Sequence, residues 1–217
     1  MNNDLFVNFK NAKELINYFL DVTKNIKHSR RTLIDYHFTK FGDLTISELI
    51  KEVCKPKAIY RKNTSVHPLN IIATVHEPNY CYSYKSYNNA IQRESSYENI
   101  INESINTDPQ YFFTNINKDD GQRIEYYIFN DMNNNKFGAI IHGHHRTILC
   151  SFLQMIDENF IMKGIDVFEY NIDWSKVNKK QTFQNKLLKN KKLFGKSYYK
   201  NVFDYELFQN RIKRDYI

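Results

Sequence analysis

The stretch GAIIHGHHRT, residues 138–147, decides the predicted fold of this chain. An apolar, strand-like run ends at a glycine, and helical spacing begins directly after it. The apolar positions of that helix lie on one face and are Ile148, Leu149, Phe152, Leu153 and Ile156. The pattern predicts a strand over Phe137–His142 that passes at Gly143 into a helix over His144–Glu158.

The segments around this junction predict a mixed sheet with helices. Further strands are expected at Asn70–Val75, Tyr111–Asn115, Arg123–Asn130 and Gly164–Ile172. A helix begins at a Ser95–Glu98 capping box and ends at Asp108-Pro109. Helices interleaved with strands over about 110 residues indicate a compact α/β or α+β core over residues 66–174.

The two ends of the chain are predicted to be mostly helical extensions. In residues 1–65, apolar spacing predicts a helix over Asn11–Lys27, and Thr45 with Glu48 forms a capping box for a second one. Lys55–Ser65 is expected to be a polar connector, because Pro56 ends the second helix. Residues 175–217 are expected to form a basic helical extension that closes the chain.

Composition excludes several classes of protein. With 41% hydrophobic residues the 217-residue chain can bury a core, while 6 Gly and 4 Pro exclude collagen-like architecture. No apolar run approaches the ~20 residues of a membrane-spanning helix, and the polar start MNNDLFVN lacks a secretion signal. Cys54, Cys81 and Cys150 form no C-x-x-C pair. We therefore expect a cytoplasmic protein without membrane contact.

The net charge of +7 is unevenly distributed along the chain. Residues 1–65 carry 12 basic and 7 acidic side chains, residues 66–174 carry 7 and 14, and residues 175–217 carry 12 and 3. Nine lysines and no acidic residue lie between Lys176 and Lys200, interleaved with aromatic and leucine side chains. Such segments bind nucleic-acid backbones, although a solvated helix face fits the pattern about as well. The candidate nucleic-acid contacts are Lys179, Lys180, Lys186, Lys189, Lys191 and Lys192.

The junction at Gly143 also has the composition of a phosphate site. A helix start attracts anions, and a glycine lets the backbone come close to them. Arg146 can hold phosphate oxygens in a bidentate manner, and Thr147 offers a hydroxyl. His142, His144 and His145 can bind phosphate, ligate a metal or transfer protons. The alternative is that these histidines are ordinary core or surface side chains.

Residues 66–172 resemble the ParB/sulfiredoxin-like superfamily. The resemblance rests on Glu103-Ser104-Ile105, on Asp108-Pro109, on the strand–turn–strand pattern and on the G-H-H-R turn. It implies a ParB-like α/β fold in which Gly143, His145 and Arg146 contact the phosphates of a nucleotide. Sulfiredoxins carry cysteine at the position of His144, so sulfinic acid reduction is not expected.

The resemblance also suggests the remaining parts of a site. Serine kinases of this superfamily use an upstream acidic base, for which Glu77 is the candidate, and Ser104 is a candidate ligand contact. Mg²⁺ and ATP or CTP are the candidate cofactor and ligand. Partition proteins have a helix-turn-helix domain after the core, and the 43 residues after residue 174 are too few for it.

Three functions remain open on these residues. The first is a phosphate-chemistry enzyme of the nuclease, nucleoside triphosphatase or kinase type. The second is a non-catalytic module that senses a ligand or grips a protein partner through the tyrosine-rich segment Tyr80–Tyr97. The third is a His-Me finger nuclease, which needs a further Asn or His on the helix after G-H-H to hold its metal.

Overall fold

A computed structural model describes residues 9–26, 34–35, 50–52, 54–74, 87–92, 97–98, 113–115, 122–130, 136–173 and 175–176. The helices are α1 (Ala12–Thr23), α2 (Tyr87–Ile91) and α3 (His144–Ile156), with a 3-10 turn at Pro68–Asn70. The strands are β1 (Ile34–Asp35), β2 (Ile59–Val66), β3 (Ile71–Thr74), β4 (Glu125–Asn130), β5 (Lys136–His142) and β6 (Met162–Asn171).

The six strands form one mixed sheet in the order β1-β3-β5-β4-β6-β2. The pairs β1/β3, β3/β5 and β4/β6 are parallel, while β4/β5 and β2/β6 are antiparallel. The predicted α/β class is therefore confirmed. The ParB-like identity of the fold stays a prediction.

The three helices and one face of the sheet share a hydrophobic core. Its members include Leu15 and Phe19 of α1, Ala90 of α2, and Leu149 and Phe152 of α3. Tyr126, Ile128, Ile140, Ile165 and Val167 face them from the sheet. Because strand side chains alternate between faces, the residues between these positions lie on the opposite face of the sheet.

Helix α1 confirms the helix predicted from Asn11 but ends earlier than Lys27. Asn11 caps it, since its side chain accepts a hydrogen bond from the Glu14 N–H at 3.0 Å. The Glu14 carboxylate accepts in return from the Lys10 N–H at 2.9 Å. Thr23 closes the helix by donating its hydroxyl to the Phe19 carbonyl at 2.6 Å.

Strand β2 overturns the prediction of a polar connector at Lys55–Ser65. Residues 59–66 pair with β6, with Tyr60 opposite Phe168 and Arg61 opposite Val167. The prediction was wrong because β2 is an edge strand whose side chains are mostly exposed, so it needs little apolar content. The boundary predicted between residues 65 and 66 falls inside this strand.

The structure confirms most of the other predicted elements and contradicts one of them. The strands at 70–75, 123–130, 137–142 and 164–172 and the helix at 144–158 are confirmed with small shifts of their ends. The strand predicted over Tyr111–Asn115 is wrong for residues 113–115, which are irregular. Asn115 instead uses its side-chain amide to donate to the Ile124 carbonyl at 2.7 Å. Residues 50–52 of the helix predicted from Thr45 are helical, while its capping box, most of the helix after Ser95, and residues 177–217 lie outside the described residues.

Candidate functional site: the Gly143 turn

The junction between β5 and α3 turns on Gly143. This residue is the N-cap of α3, has φ 86° and ψ 33°, and provides no side-chain cap. A Cβ at this position would lie 2.9 Å from Cγ1 of Ile124, which is closer than real Cβ contacts. The turn therefore needs glycine both for its left-handed backbone and for the space beside Ile124.

Several strand ends meet at the edge of the sheet that carries this turn. Strands β3 and β5 run parallel, so the chain leaves Thr74 on the same side as it leaves His142. Glu125, at the start of β4, lies opposite both His142 of β5 and Asp166 of β6. In open α/β sheets, ligands bind outside the carboxyl ends of parallel strands, at points where the connections diverge.

The three histidines of the turn occupy different environments. The His142 side chain is 63% exposed, and its Nε2 lies 3.9 Å from Oε2 of Glu125. His144 is buried, with 4% of its surface exposed. His145 is half-buried, and its ring meets the Tyr97 ring edge-on at 5.4 Å and the His144 ring at 5.8 Å. Solvent can therefore reach His142 and His145, while His144 belongs to the interior.

Arg146 is turned toward the main chain of the preceding loop. It is 7% exposed, and its Nη2 donates to the Gln122 carbonyl. Gln122 precedes Arg123 and Ile124, the segment that borders Gly143 and leads into β4. Arg146 therefore holds the segment at Gln122 close to the Gly143 turn. Its predicted contact with phosphate stays a prediction.

Thr147 faces the core. Its hydroxyl donates to the Gly143 carbonyl at 2.8 Å and lies 2.7 Å from the Tyr126 hydroxyl. Tyr126 also contacts Sδ of Met162 at 3.4 Å, and its burial raises the pKa of its phenol well above the usual range. Thr147 is 1% exposed, so its hydroxyl stabilises the turn from inside, whereas the sequence predicted a phosphate contact.

A second polar group at the same sheet edge was not predicted from the sequence. Nε of Arg123 lies 2.6 Å from Oδ2 of Asp166, which also accepts from the Tyr60 hydroxyl at 3.3 Å. Asp166 is fully buried, which raises its pKa. The hydrogen bond and charge of Arg123, with smaller contributions from Asn63 and Tyr60, outweigh burial and leave the pKa lowered. The one signal in the sequence is an acidic residue inside an apolar strand.

A further ionic cluster lies at the far end of β6. Glu169 accepts from Nε of Arg61 at 2.6 Å, from Nδ2 of Asn130 at 2.7 Å and from Nζ of Lys136 at 3.3 Å. Burial raises the pKa of this carboxyl, but the three hydrogen bonds together lower it to about 2. The cluster connects β2, β4, β5 and β6 and therefore stabilises the sheet. It lies away from the Gly143 turn.

The described cysteines do not have the environment of nucleophiles. Cys150 is fully buried in α3, and burial raises the pKa of its thiol well above the usual range. Burial raises the pKa of Cys54 to about 12, although the nearby Lys176 lowers it slightly. A thiol becomes reactive as its thiolate, so both are structural residues.

Several predicted site residues cannot be placed on this edge. Glu77, Ser104 and the six lysines predicted to contact nucleic acid lie outside the described residues. Within the described ranges, no three His, Cys, Asp or Glu side chains are grouped so that they could hold a metal ion. None of the helices in this part of the chain combines the length and apolar character needed to cross a bilayer.

Comparison of the chain with protein families, with curated proteins and with solved structures found no match. The geometry of the Gly143 turn and the residue patterns of the sequence are therefore what indicate a function.

Proposed function

We propose that this chain is a phosphate-chemistry enzyme that binds a phosphate of a nucleotide or nucleic acid at the Gly143 turn. The observation that carries the proposal is the left-handed Gly143 at the start of α3, which provides no capping side chain. The positive end of a helix dipole favours an anion at this place. The turn also lies at the sheet edge where the parallel strands β3 and β5 end.

In this proposal the two solvent-accessible histidines have different roles. His145 contacts a phosphate oxygen, because it is the second residue of α3 and half-buried beside Tyr97. His142 transfers the proton of an attacking water or hydroxyl, since an exposed imidazole 3.9 Å from a carboxylate suits acid–base work. The carboxylate is that of Glu125. Arg146 is a positioning residue that holds the loop at Gln122 against the turn.

The reaction belongs to the nuclease, nucleoside triphosphatase or kinase class. The resemblance of the G-H-H-R turn to ParB/sulfiredoxin-like proteins supports this class and makes ATP or CTP the first ligands to test. Nucleic acid is the alternative substrate, because the chain carries a net charge of +7. Mg²⁺ would supply charge neutralisation at the phosphate, since it commonly binds through one or two carboxylates together with substrate phosphate oxygens.

The test compares histidine variants of the turn with a histidine elsewhere. His67 is a suitable control, because it is exposed and lies before the 3-10 turn, where Nδ1 is 3.1 Å from Nε2 of Gln154. Thermal shift with ATP or CTP, with and without Mg²⁺, measures binding, and phosphate release or nicking of an oligonucleotide measures turnover. We expect His142→Ala to lower turnover by about 100-fold with binding retained. His145→Ala should weaken binding, and His67→Ala should change neither.

Two results would refute the proposal. One is the absence of any thermal shift and turnover with all these substrates. The other is a set of activities that the His142 and His145 variants leave unchanged. Loss of activity in the His67 variant would show instead that histidine removal acts through general stability.

A second candidate function is a non-catalytic module that senses a ligand or binds a protein. The observation that favours it is that the side chains of Arg146 and Thr147 donate hydrogen bonds to the main-chain carbonyls of Gln122 and Gly143. Both side chains therefore stabilise the fold itself. A nucleotide-dependent thermal shift that depends on His145, without turnover, would support the ligand-sensing module. A stable complex with a protein partner and no nucleotide shift would support the protein-binding form.

A further inference from the structure

The sheet face opposite the helices carries a continuous row of aromatic rings. The row passes from β2 through β6 and β4 to β5, and each ring contacts the next. The centroid distances are 4.9 Å for Tyr60–Phe168, 6.0 Å for Phe168–Tyr127, 5.8 Å for Tyr127–Tyr170, 5.8 Å for Tyr170–Phe129 and 5.2 Å for Phe129–Phe137. The strand register explains the row, because each of these residues lies beside an aromatic partner on the neighbouring strand.

The exposure of the rings increases along this aromatic row from β5 toward β2. Phe129 and Phe137 are buried, the rings in the middle of the row are half-buried, and Tyr60 is 45% exposed. Strand β2 is at the edge of the sheet, so no further strand of the described sheet covers Tyr60. The row brings ring faces to the surface at β2, on a rigid strand framework.

Positive charge accompanies the exposed end of the row. Nζ of Lys62 lies 5.9 Å from the centroid of the Tyr60 ring. Lys55 and Lys57 are exposed just before strand β2, whereas Arg61 is paired with Glu169 and faces the other side of the sheet. These three lysines outnumber the two carboxylates that act on Tyr60, which are Asp166, paired with Arg123 at 2.6 Å, and Glu125 at the start of β4. The exposed rings therefore lie in surroundings where a polyanion is favoured.

We infer that the aromatic row binds single-stranded nucleic acid, with unpaired bases stacking on Tyr60 and the half-buried rings next to it. Every base presents a π-face, so stacking on aromatic side chains does not require a particular sequence. Lys62 would neutralise a phosphate that connects the stacked bases. A duplex is a poor ligand because its bases are already stacked on each other and cannot reach the rings.

This inference goes beyond the proposed function and does not require it. The aromatic row lies on the face of the sheet, while the Gly143 turn lies at its edge, at the start of α3. A variant of the turn, His145→Ala, should therefore keep its affinity for single strands even when nucleotide binding is lost.

The test measures fluorescence anisotropy of a labelled oligothymidylate of about 20 nucleotides with the full chain, beside a duplex of the same length. We expect Tyr60→Ala to weaken single-strand binding about ten-fold or more, the loss typical of removing one stacking ring. Tyr60→Phe should stay within about two-fold of the parent chain, because the ring remains. Ile59→Ala is the matched control, since Ile59 is 44% exposed and adjacent in β2.

A salt titration separates stacking from charge. Lys62→Gln should lower the slope of log affinity against log salt by about 0.7, the value for one phosphate contact on a single strand. Tyr60→Ala should leave that slope unchanged. Equal losses in the Tyr60→Ala and Ile59→Ala variants, absence of single-strand binding at low salt, or duplex binding as tight as single-strand binding would each overturn the inference.

Discussion

Replacing Gly143 with alanine tests the geometry on which the proposed site depends. Gly143 has φ 86°, and an added Cβ would lie 2.9 Å from Cγ1 and 3.1 Å from Cγ2 of Ile124. Ile124 is fully buried, and its backbone is held by the Asn115 amide, so it has little room to withdraw. The substitution therefore meets a backbone penalty and a packing penalty together.

The expected loss of unfolding free energy is the sum of these two penalties. A left-handed backbone costs an alanine about 1–2 kcal/mol relative to glycine. The short contact with Ile124 adds about 1–2 kcal/mol, as overpacking of a core usually does. We expect Gly143→Ala to lower the free energy of unfolding by about 3 kcal/mol. For a chain of this size the midpoint of thermal unfolding should fall by roughly 6–12 °C.

Equilibrium unfolding in urea measures the loss, and three further variants identify its source. Gly143→Asn keeps the Cβ but tolerates the left-handed backbone better, so it should lose about 1 kcal/mol less than alanine. Gly164→Ala is the control for backbone conformation, because Gly164 has φ 71° within β6. In an Ile124→Ala background, Gly143→Ala should cost only about 1–2 kcal/mol, which gives a measurable coupling energy.

Two results would contradict this account of the turn. The first is a loss below about 0.5 kcal/mol for Gly143→Ala, which would mean that the turn accepts a side chain. The second is an equal loss with and without the Ile124 side chain, which would show that the packing penalty does not exist. Nucleotide binding should be measured at a temperature where all variants are folded, so that weaker binding reports the site itself.

Three other predictions concern the described core and sheet. Thr147→Val should lower unfolding free energy by about 1–3 kcal/mol, because the buried Tyr126 hydroxyl loses its 2.7 Å partner, and Thr147→Ser should restore most of it; equal stability of all three proteins would contradict this. Glu169→Gln should cost on the order of 2–3 kcal/mol at pH 7. Folding lowers the Glu169 pKa from 4.5 to about 2, so this contribution is present above pH 4.5 and is lost as pH falls toward 2. The urea midpoints of variant and parent should therefore differ at pH 7 and approach each other at pH 2. An equal difference at both pH values would refute the assignment. Cys54 and Cys150 should resist maleimide in the native protein and react after unfolding, as peptide mass spectrometry can show; rapid native labelling of either would contradict their burial.

The junction at Gly143 was predictable because its signals are local. An apolar strand, a glycine and a helix with one apolar face follow each other within residues 137–156, and strand β5 and helix α3 have these bounds within one or two residues. The start of α1 near Asn11 and the strand β4 were similarly predicted from short patterns. Local patterns also identified the cluster of histidines at the turn.

The positions of individual site residues depended on contacts between distant segments. Whether Thr147 faces solvent or the core is decided by Tyr126, which lies 21 residues earlier on β4. The ion pair of Arg123 with Asp166 joins residues 43 positions apart and requires the register of β4 and β6. Strand β2 escaped prediction for a related reason, since its pairing partner β6 begins almost 100 residues later. Short patterns in a single sequence do not show which distant residues come into contact in the folded chain.

The irregular pairing of β2 has a consequence for the behaviour of the protein at high concentration. The register of β2 on β6 shifts between Arg61 and Thr64 and again between Thr64 and Val66, and Asn63 between them has φ 55°. Bulges and cations along an exposed edge hinder a second sheet from adding to it. The β2 edge is therefore a poor template for strand addition, which hinders edge-to-edge aggregation at this side of the sheet.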